Sequence, residues 1–467
     1  MAATVFACSD DISDVNVDTK NPTEVPAEVL FSNATKNLFD QMVNTNVNTN
    51  IFKMVAQYWT ETTYTDEANY DLIGRNINGA QWTILYRDVL KDLQEAEMIL
   101  TENPDPTLTE ANLQNRHAMI EVLQVFTWHV LVDTFGDIPY TEALNPDDST
   151  PVYDDDAAIY ADLADRLDAA ISQLEAGAGG FGGGADYIYN GDAAKWSKFA
   201  NSLKLRLALR FAEVDDTKAA DMASEAIASG VFESHEDNAT IQYQGSAPNT
   251  NPIWEDLVQS GRADFVAANT IVDAMNDLND PRRNDYFAEN MGEGVYEGGT
   301  YGANGNTQSN STIYSALFED PTLEGVILDY TEVQFLIAEA AARGLISDDA
   351  ETYYDEAITS SILYWGGTEE EADAYLAQSE VAWDGDQWQE RIGVQKWIAL
   401  YNRGFEAWST WRKLDVPELP NAGQSGLPVP LRFTYPTTEA TLNGANLEAA
   451  ASAIGGDEQQ TPVFWDN

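Results

Sequence analysis

The chain has 467 residues, 44% apolar and 22% charged, and its 24 Lys and Arg against 78 Asp and Glu leave a formal charge of −54. That charge excludes phosphate backbones and anionic membrane surfaces as natural partners and repels acidic polysaccharides, whereas neutral ligands meet no such barrier, so no nucleic-acid partner is expected. The apolar share excludes a disordered acidic chain, the length allows a large core, and so much like charge is best screened in salty surroundings.

Residues 4–11, TVFACSDD, hold Cys8, the only cysteine, so no disulfide can form within the chain. A reactive thiol needs a positioned base and a pocket. Residue 8 instead lies among Ala2, Ala3, Ser9, Asp10 and Asp11, where chain ends are usually loose. Val5, Phe6 and Ala7 have the form of a secretory apolar segment ending at a cleavage site. On that reading residues 1–8 are the remnant of a lipoprotein signal with Cys8 as its lipidated residue. No Lys or Arg precedes Cys8 and the apolar run is short, so a chance cysteine in a loose terminus stands beside it.

Residues 60–81 are loop-like. Trp82 opens WTILYRDVLKDL and is either the first core residue of a helix or an exposed ring, since a large amphipathic side chain suits both places. Residues 107–133 are predicted to be helical, with Thr107 and Glu110 at capping-box spacing. Within them VLQVFTWHVLV, residues 122–132, is interrupted by Gln124 and His129, and no apolar run reaches bilayer length. Residues 159–176 place Leu163, Leu167, Ala170, Ile171 and Leu174 on one helical face, with Gly177 as the C-cap. GAGGFG, residues 177–182, matches G-x-G-x-x-G but follows a helix instead of a strand, so it is read as a flexible loop and not a dinucleotide site. Residues 192–212 start at Asp192 as N-cap and put Trp196, Phe199, Leu203 and Leu207 on one stripe. Residues 234–252 are loop-like, and 291–312 are rich in Gly and Asn. Residues 331–343 form a helix closed by Gly344, residues 349–364 form another, and the tail from 415 is Pro- and Gly-rich.

DAAIS (168–172), SEAIAS (224–229) and DEAITS (355–360) repeat weakly. Ala338, Gly344, Ala350, Tyr354, Ala357 and Ile358 read like a tetratricopeptide helix pair, in which small residues let two helices approach closely. The expected fold is mostly α, with tetratricopeptide-like helix pairs, long irregular loops and a loop-rich ligand-binding face.

Catalytic and metal patterns are scarce. His117, His129 and His235 lack metal-ligand spacing, and His129 reads as a satisfied core residue. There is no G-x-S-x-G. A glycosidase carboxylate pair is defined by separation in space and cannot be located among 78 acids. No EF-hand pattern occurs; no cofactor is expected, and a structural calcium ion is left open. Two basic clusters, Lys195/Lys198/Lys204/Arg206/Arg210 and Arg391/Lys396/Arg403/Arg412/Lys413, are read as partners for carboxylates of neighbouring helices, not as anion sites.

Aromatic residues carry the positive signal: 12 Trp, 21 Tyr and 17 Phe. Trp128, Trp196, Trp397 and Trp408 sit at helical spacing and read as core. Tyr64, Tyr70, Trp82, Tyr296, Tyr301 and Trp383 sit in or beside polar loops. An exposed ring offers a flat apolar face to the C–H face of a sugar, while nearby amides, carboxylates and guanidinium groups bond its hydroxyls. The site is therefore expected on the loop face of residues 60–82 with help from 290–305. Tyr64, Tyr70 and Trp82 would stack, Asp66, Arg75 and Asn78 would bond hydroxyls, and Tyr296 and Tyr301 would assist.

Six blocks in order resemble the SusD/RagB family of Bacteroidetes outer-membrane lipoproteins. They are NPTEVPAEVLFSNA (21–34), NGDAAKWSKFANSLKLRLALR (190–210), NPIWEDL with LNDPRRNDYF (251–257 and 278–287), YTEVQFLIAEAAARG (330–344), IGVQKWIALYNRGFEAWSTWRK (392–413) and PLRFTYPTTEATLN (430–443). The resemblance implies one helical domain over residues 9–467, with loop insertions near 60–82, 234–325 and 415–467. It implies a non-catalytic, lipid-anchored surface protein of polysaccharide utilisation. Such a protein captures oligosaccharides, here neutral ones such as a β-glucan, an α-glucan or a mannan, and delivers them to a SusC-type TonB-dependent transporter. It also strengthens the reading of Cys8 as the lipid attachment point at the outer membrane. A surface glycoside hydrolase and a peptide-capturing lid on the same kind of transporter are the alternatives. The family has no single ligand-contact motif, so the site residues rest on aromatic placement alone.

Overall fold

A computed structural model describes residues 25–466; Cys8 lies outside them. Helices dominate. Four short strands form two two-stranded antiparallel ribbons, Trp59–Glu61 with Phe265–Ala267 and Ala239–Ile241 with Gly325–Leu328. Each ribbon joins segments some 80 to 200 residues apart, so it ties loops down instead of building a sheet.

The long helices pack as consecutive pairs: Glu110–Phe135 with Asp156–Gln173, Ala193–Phe211 with Asp216–Ser229, and Tyr330–Ala342 with Ala350–Tyr364. Their starts follow local capping chemistry. Asp155, Asp192, Asp215 and Asp329 each accept backbone N–H groups of the first turn. The helix expected to be capped at Thr107 starts one turn later. Thr109 accepts from Asn112 N, while Thr107 bonds Asp105 within the preceding turn. The helix expected to run to residue 176 stops at Gln173, and Gly177, at φ +86°, belongs to the turn beyond it. Gly344, at φ +75°, closes Tyr330–Ala342 as expected.

Glu110–Phe135 is long and apolar enough to span a bilayer by composition, yet it lies inside the helix assembly. Its polar residues are used there: His129 is fully buried beside Asp133, and the Asp133 carboxylate receives Arg210, Tyr160 and Trp465. Trp128, Trp196, Trp397 and Trp408 are core residues.

Most of the two basic clusters resolve as internal pairs, while Lys195 and Arg391 instead bond backbone carbonyls, of Glu236 and of Ser379 and Glu380. Arg206 bonds Glu332, Arg210 bonds Asp133 and Glu406, Arg403 bonds Asp329 and Glu332, and Lys413 bonds Glu339. Lys204 reaches Asp168 and Glu225, and Lys198 reaches Glu233 and Asp237. Arg412 lies over the Trp408 and Trp465 rings and bonds backbone carbonyls of Asp133 and Leu431. Five helices thus meet around a buried ionic layer. Burial drives the Lys396 ammonium down from its usual range, while Arg210 and Arg206 more than offset burial at Glu406 and hold it at about 2.

The glycine run 177–182 is not a free loop. Phe181 is buried and stacks on Phe31 at 4.2 Å, with the Arg116 guanidinium on its ring at 5.0 Å. Asn115 and Asn112 donate to the carbonyls of Gly179 and Gly180. The sequence shows the glycines' freedom but not the distant partners that remove it.

Candidate functional site

A groove of about 520 Å³ opens between two loops, within the roughly 300–1,000 Å³ of small-molecule sites. Thr65–Ile73 forms one wall, and Gln424, Ser425 and Leu427 form the other, with Gln459 alongside. Ile73 and Leu427 expose apolar surface at the rim (58% and 45%). Asp66 and Asp71 are exposed acceptors. Asp71 already receives the N–H groups of Ile73 and Gly74, whereas no described residue hydrogen-bonds the Asp66 carboxylate.

Asn69 holds the groove together. Its amide donates to Thr65 O at 2.7 Å and Gly302 O at 2.9 Å, and its carbonyl oxygen accepts the backbone N–H groups of Gln424 and Ser425 at 3.0 and 2.9 Å. Gln424 adds bonds to Thr65 and Gly302, and Asn304 donates to Gln424. Three loops therefore converge on one side chain. Gly302, at φ +63°, allows the approach: a Cβ there would lie 2.7 Å from Gly423 N and 3.0 Å from Ala68 O. Tyr70 in this wall is in the left-handed region, as are Tyr64 just before the wall and Asn76 after it. Such conformations cost of order 1–3 kcal/mol each and gather at functional sites.

Beneath the wall, Glu61 and Glu67 are buried side by side. Glu61 accepts Ala68 N at 3.0 Å, and Glu67 pairs with Arg75. Burial, with the adjacent Glu67 carboxyl adding to it, pushes Glu61 up to about 9, so it carries a proton at neutral pH. A protonated carboxyl beside a carboxylate is a hydrogen bond where two charges would repel.

The expected site residues divide. Tyr64 (69% exposed), Asp66 and Arg75 share the surface of one loop, and of the three only Asp66 lines the groove, with Tyr64 next to the lining residue Thr65. Tyr70 reaches the groove only as its floor: its ring is buried against Tyr301, and its hydroxyl accepts from Gln57. It cannot offer a free stacking face. Asn78 is buried, its amide spent on the carbonyls of Thr434 and Tyr435 at 3.1 Å each, so it is a structural tie and not a hydroxyl partner. Tyr296 and Tyr301 are buried as well. Their hydroxyls donate to Asn284 Oδ1 and Met54 O. The Gly/Asn-rich segment thus backs the groove through Gly302 and Asn304 and does not line it with rings. Trp82 belongs to a separate groove. Sequence reasoning passed over Gln424, Ser425, Leu427 and Gln459. NAGQSGLP carries the same polar-loop signal as residues 60–82, but without an aromatic residue it drew no attention.

For a cation, Asp137, Asp155 and Asp156 bring carboxylate oxygens within 4.8 Å of one another, away from the groove's lining. Burial raises Asp137 and Asp156 to about 6, and each already accepts a backbone N–H, from Asp156 and Phe464 respectively.

A family model described as "Starch-binding associating with outer membrane" matches residues 19–436. The chain belongs to this SusD-like family. Solved structures agree over nearly full length. A chitin-binding protein is 26% identical with a TM-score of 0.80, covering 94% of this chain and 99% of its own. A SusD-like protein from Bacteroides thetaiotaomicron is 25% identical with a TM-score of 0.79, over 94% and 99% of the two chains. A chitin-binding SusD homolog from Flavobacterium johnsoniae, at 23% identity and a TM-score of 0.80 over 94% and 98%, shares the fold. No curated protein matches. The SusD-like family accounts for the outer-membrane association and for the mostly helical architecture.

Proposed function

We propose that this SusD-like protein captures neutral oligosaccharides in the groove between Thr65–Ile73 and Gln424–Leu427, without cleaving them, and hands them to a SusC-type transporter. The observation that carries this reading is the groove itself. Apolar rim residues and the Asp66 carboxylate, which the described residues leave unbonded, line one cleft tied by Asn69, and the exposed Tyr64 ring stands one residue before its wall. Apolar contact plus hydroxyl acceptors suits a sugar ring. The charge of −54 disfavours anionic chains, and no Lys or Arg lines the groove to counter it. Two similar structures are described as chitin-binding, and the family as starch-binding. Chitin oligomers therefore join β-glucan, α-glucan and mannan as probes.

Native affinity gels with these neutral glycans and with alginate test the ligand class. Retardation by a neutral glycan is expected, and retardation by alginate alone overturns it. A reducing-sugar assay on the same glycans should show no turnover; turnover makes the protein a hydrolase, and binding of peptides with no glycan bound makes it a peptide lid. Cys8 serves as lipid anchor, each buried CH₂ adding about 0.8 kcal/mol. Cys8→Ala should leave Tm unchanged and release the protein from outer membranes, and a variant that stays in the membrane fraction after a salt wash contradicts the anchor.

A further inference from the structure

A second groove, of about 330 Å³, shares no lining residue with the first. One wall is Trp82 and Tyr86, one helical turn apart with ring centroids at 4.8 Å. Trp82 also meets Phe135 at 5.1 Å, edge to face, and Tyr153 at 6.1 Å, so the indole is propped from behind while part of it stays open. The helix changes pitch here. Ile77–Thr83 is α-helical, Ile84–Leu90 is π-helical and Lys91–Glu102 is α-helical again. Such π segments recur at functional sites.

The opposite wall comes from Leu144, Ser149, Glu439 and Leu442. Leu442 is 66% exposed on a single-turn helix, Glu439–Leu442, whose Glu439 accepts the Tyr153 hydroxyl at 2.8 Å. The walls are fixed. Tyr86 donates to Pro139 O at 2.6 Å, Lys91 to Leu144 O at 3.2 Å, and Asn443 to Pro151 O at 2.7 Å. Other polar groups stay unspent. Among the described residues, the Trp82 indole N–H and the Ser149 hydroxyl find no hydrogen-bond partner, and Arg87, with Asp88 already on Nε and one Nη, has none on its other Nη. The indoles of Trp59, Trp196, Trp397, Trp408, Trp411 and Trp465 donate inside the protein, whereas that of Trp82 is one of six that bond no described residue.

We infer that this groove is a second carbohydrate-binding site, taking a pyranose ring on the Trp82–Tyr86 face with its hydroxyls on the Trp82 N–H, Ser149 and Arg87. The inference rests on the glycan-binding reading above. Trp82 lies nine residues past Ile73, the last residue of the first groove's wall, on the helix that Asn76 begins. A polymer that reaches both grooves gains avidity that a short oligomer does not, so the second site is expected to act on polymers more than on short oligomers.

Ser149→Arg fills the groove from an exposed loop position without touching the core, and Trp82→Phe keeps an aromatic ring among Tyr86, Phe135 and Tyr153 but removes the N–H and ring width. Each is run in native affinity gels against the neutral polymer that retards the parent, with Tm recorded alongside. Both variants should keep the parent's Tm within about 2 °C and lose roughly fivefold or more in polymer affinity, about 1 kcal/mol. If Ser149→Arg folds and is retarded like the parent, the second site is overturned while the first stands. If Trp82→Phe melts early, Ser149→Arg alone decides. A parent that binds no neutral polymer overturns the glycan reading itself and this site with it.

Discussion

Asn69 and Glu61 act at the scale of single residues, and both shape the groove without needing to touch its ligand. Asn69→Ala removes four hydrogen bonds, three of them to two other loops. Leaving such partners unpaired costs about 1–3 kcal/mol, so chemical denaturation should show a loss in that range together with weaker glycan binding. Unchanged binding would mean that the loops hold their places without it. Glu61 predicts a pH effect of definite sign. Its folded value, about 9, lies above the ordinary 4.5. The stability that its neutral form provides is full below about pH 4.5 and is lost as pH rises toward 9, because the unfolded chain releases the proton first. Glu61→Gln keeps an acceptor for Ala68 N and a donor toward Glu67 but never ionises. The variant should melt above the parent at pH 8, with the gap narrowing at pH 5. A parent that melts higher at pH 8 contradicts the buried proton.

Among elements, the helices were legible and their tertiary ties were not. Asp192 ahead of a 3.6-residue apolar stripe marks its own helix, because cap and period are local. Phe181, Asn78 and Tyr301 failed for the opposite reason: each looks like a loop residue until Phe31, Tyr435 or Met54, far away in the chain, covers it. The exposure of Tyr64 is equally invisible in sequence, since Tyr64 and Tyr70 sit in the same polar run. The ionic layer was readable as a class, because excess acid supplies partners for every cation, but not pair by pair. Glu406 is its hub, 2.9 Å from Arg210, 3.6 Å from Arg206 and 3.9 Å from Lys396. Glu406→Gln leaves buried cations short of a counter-charge and should cost about 3–5 kcal/mol. A loss below about 1 kcal/mol would show that these helices do not depend on the pair.

For the whole molecule, charge and fold bear on the same function. The ionic layer is buried and screened little by salt, whereas the surplus of acid lies outside it and repels itself. Raising NaCl from about 0.05 to about 0.5 M should therefore raise Tm, and a Tm that falls would place the dominant electrostatics in attractive surface pairs. Family membership was legible because six blocks keep their order along the chain. The groove was legible only by half: the Tyr64–Arg75 wall carries aromatic and charged residues, while its partner wall carries neither. The most direct test of the central claim is the affinity of Tyr64→Ala and Asp66→Ala for the neutral oligosaccharide that the parent binds, measured by isothermal titration. The account predicts a loss of about 1–3 kcal/mol for Tyr64→Ala, as for other stacking rings, and a measurable loss for Asp66→Ala, with both melting points intact. Parent-like affinity in both variants would contradict it and place the ligand outside this groove.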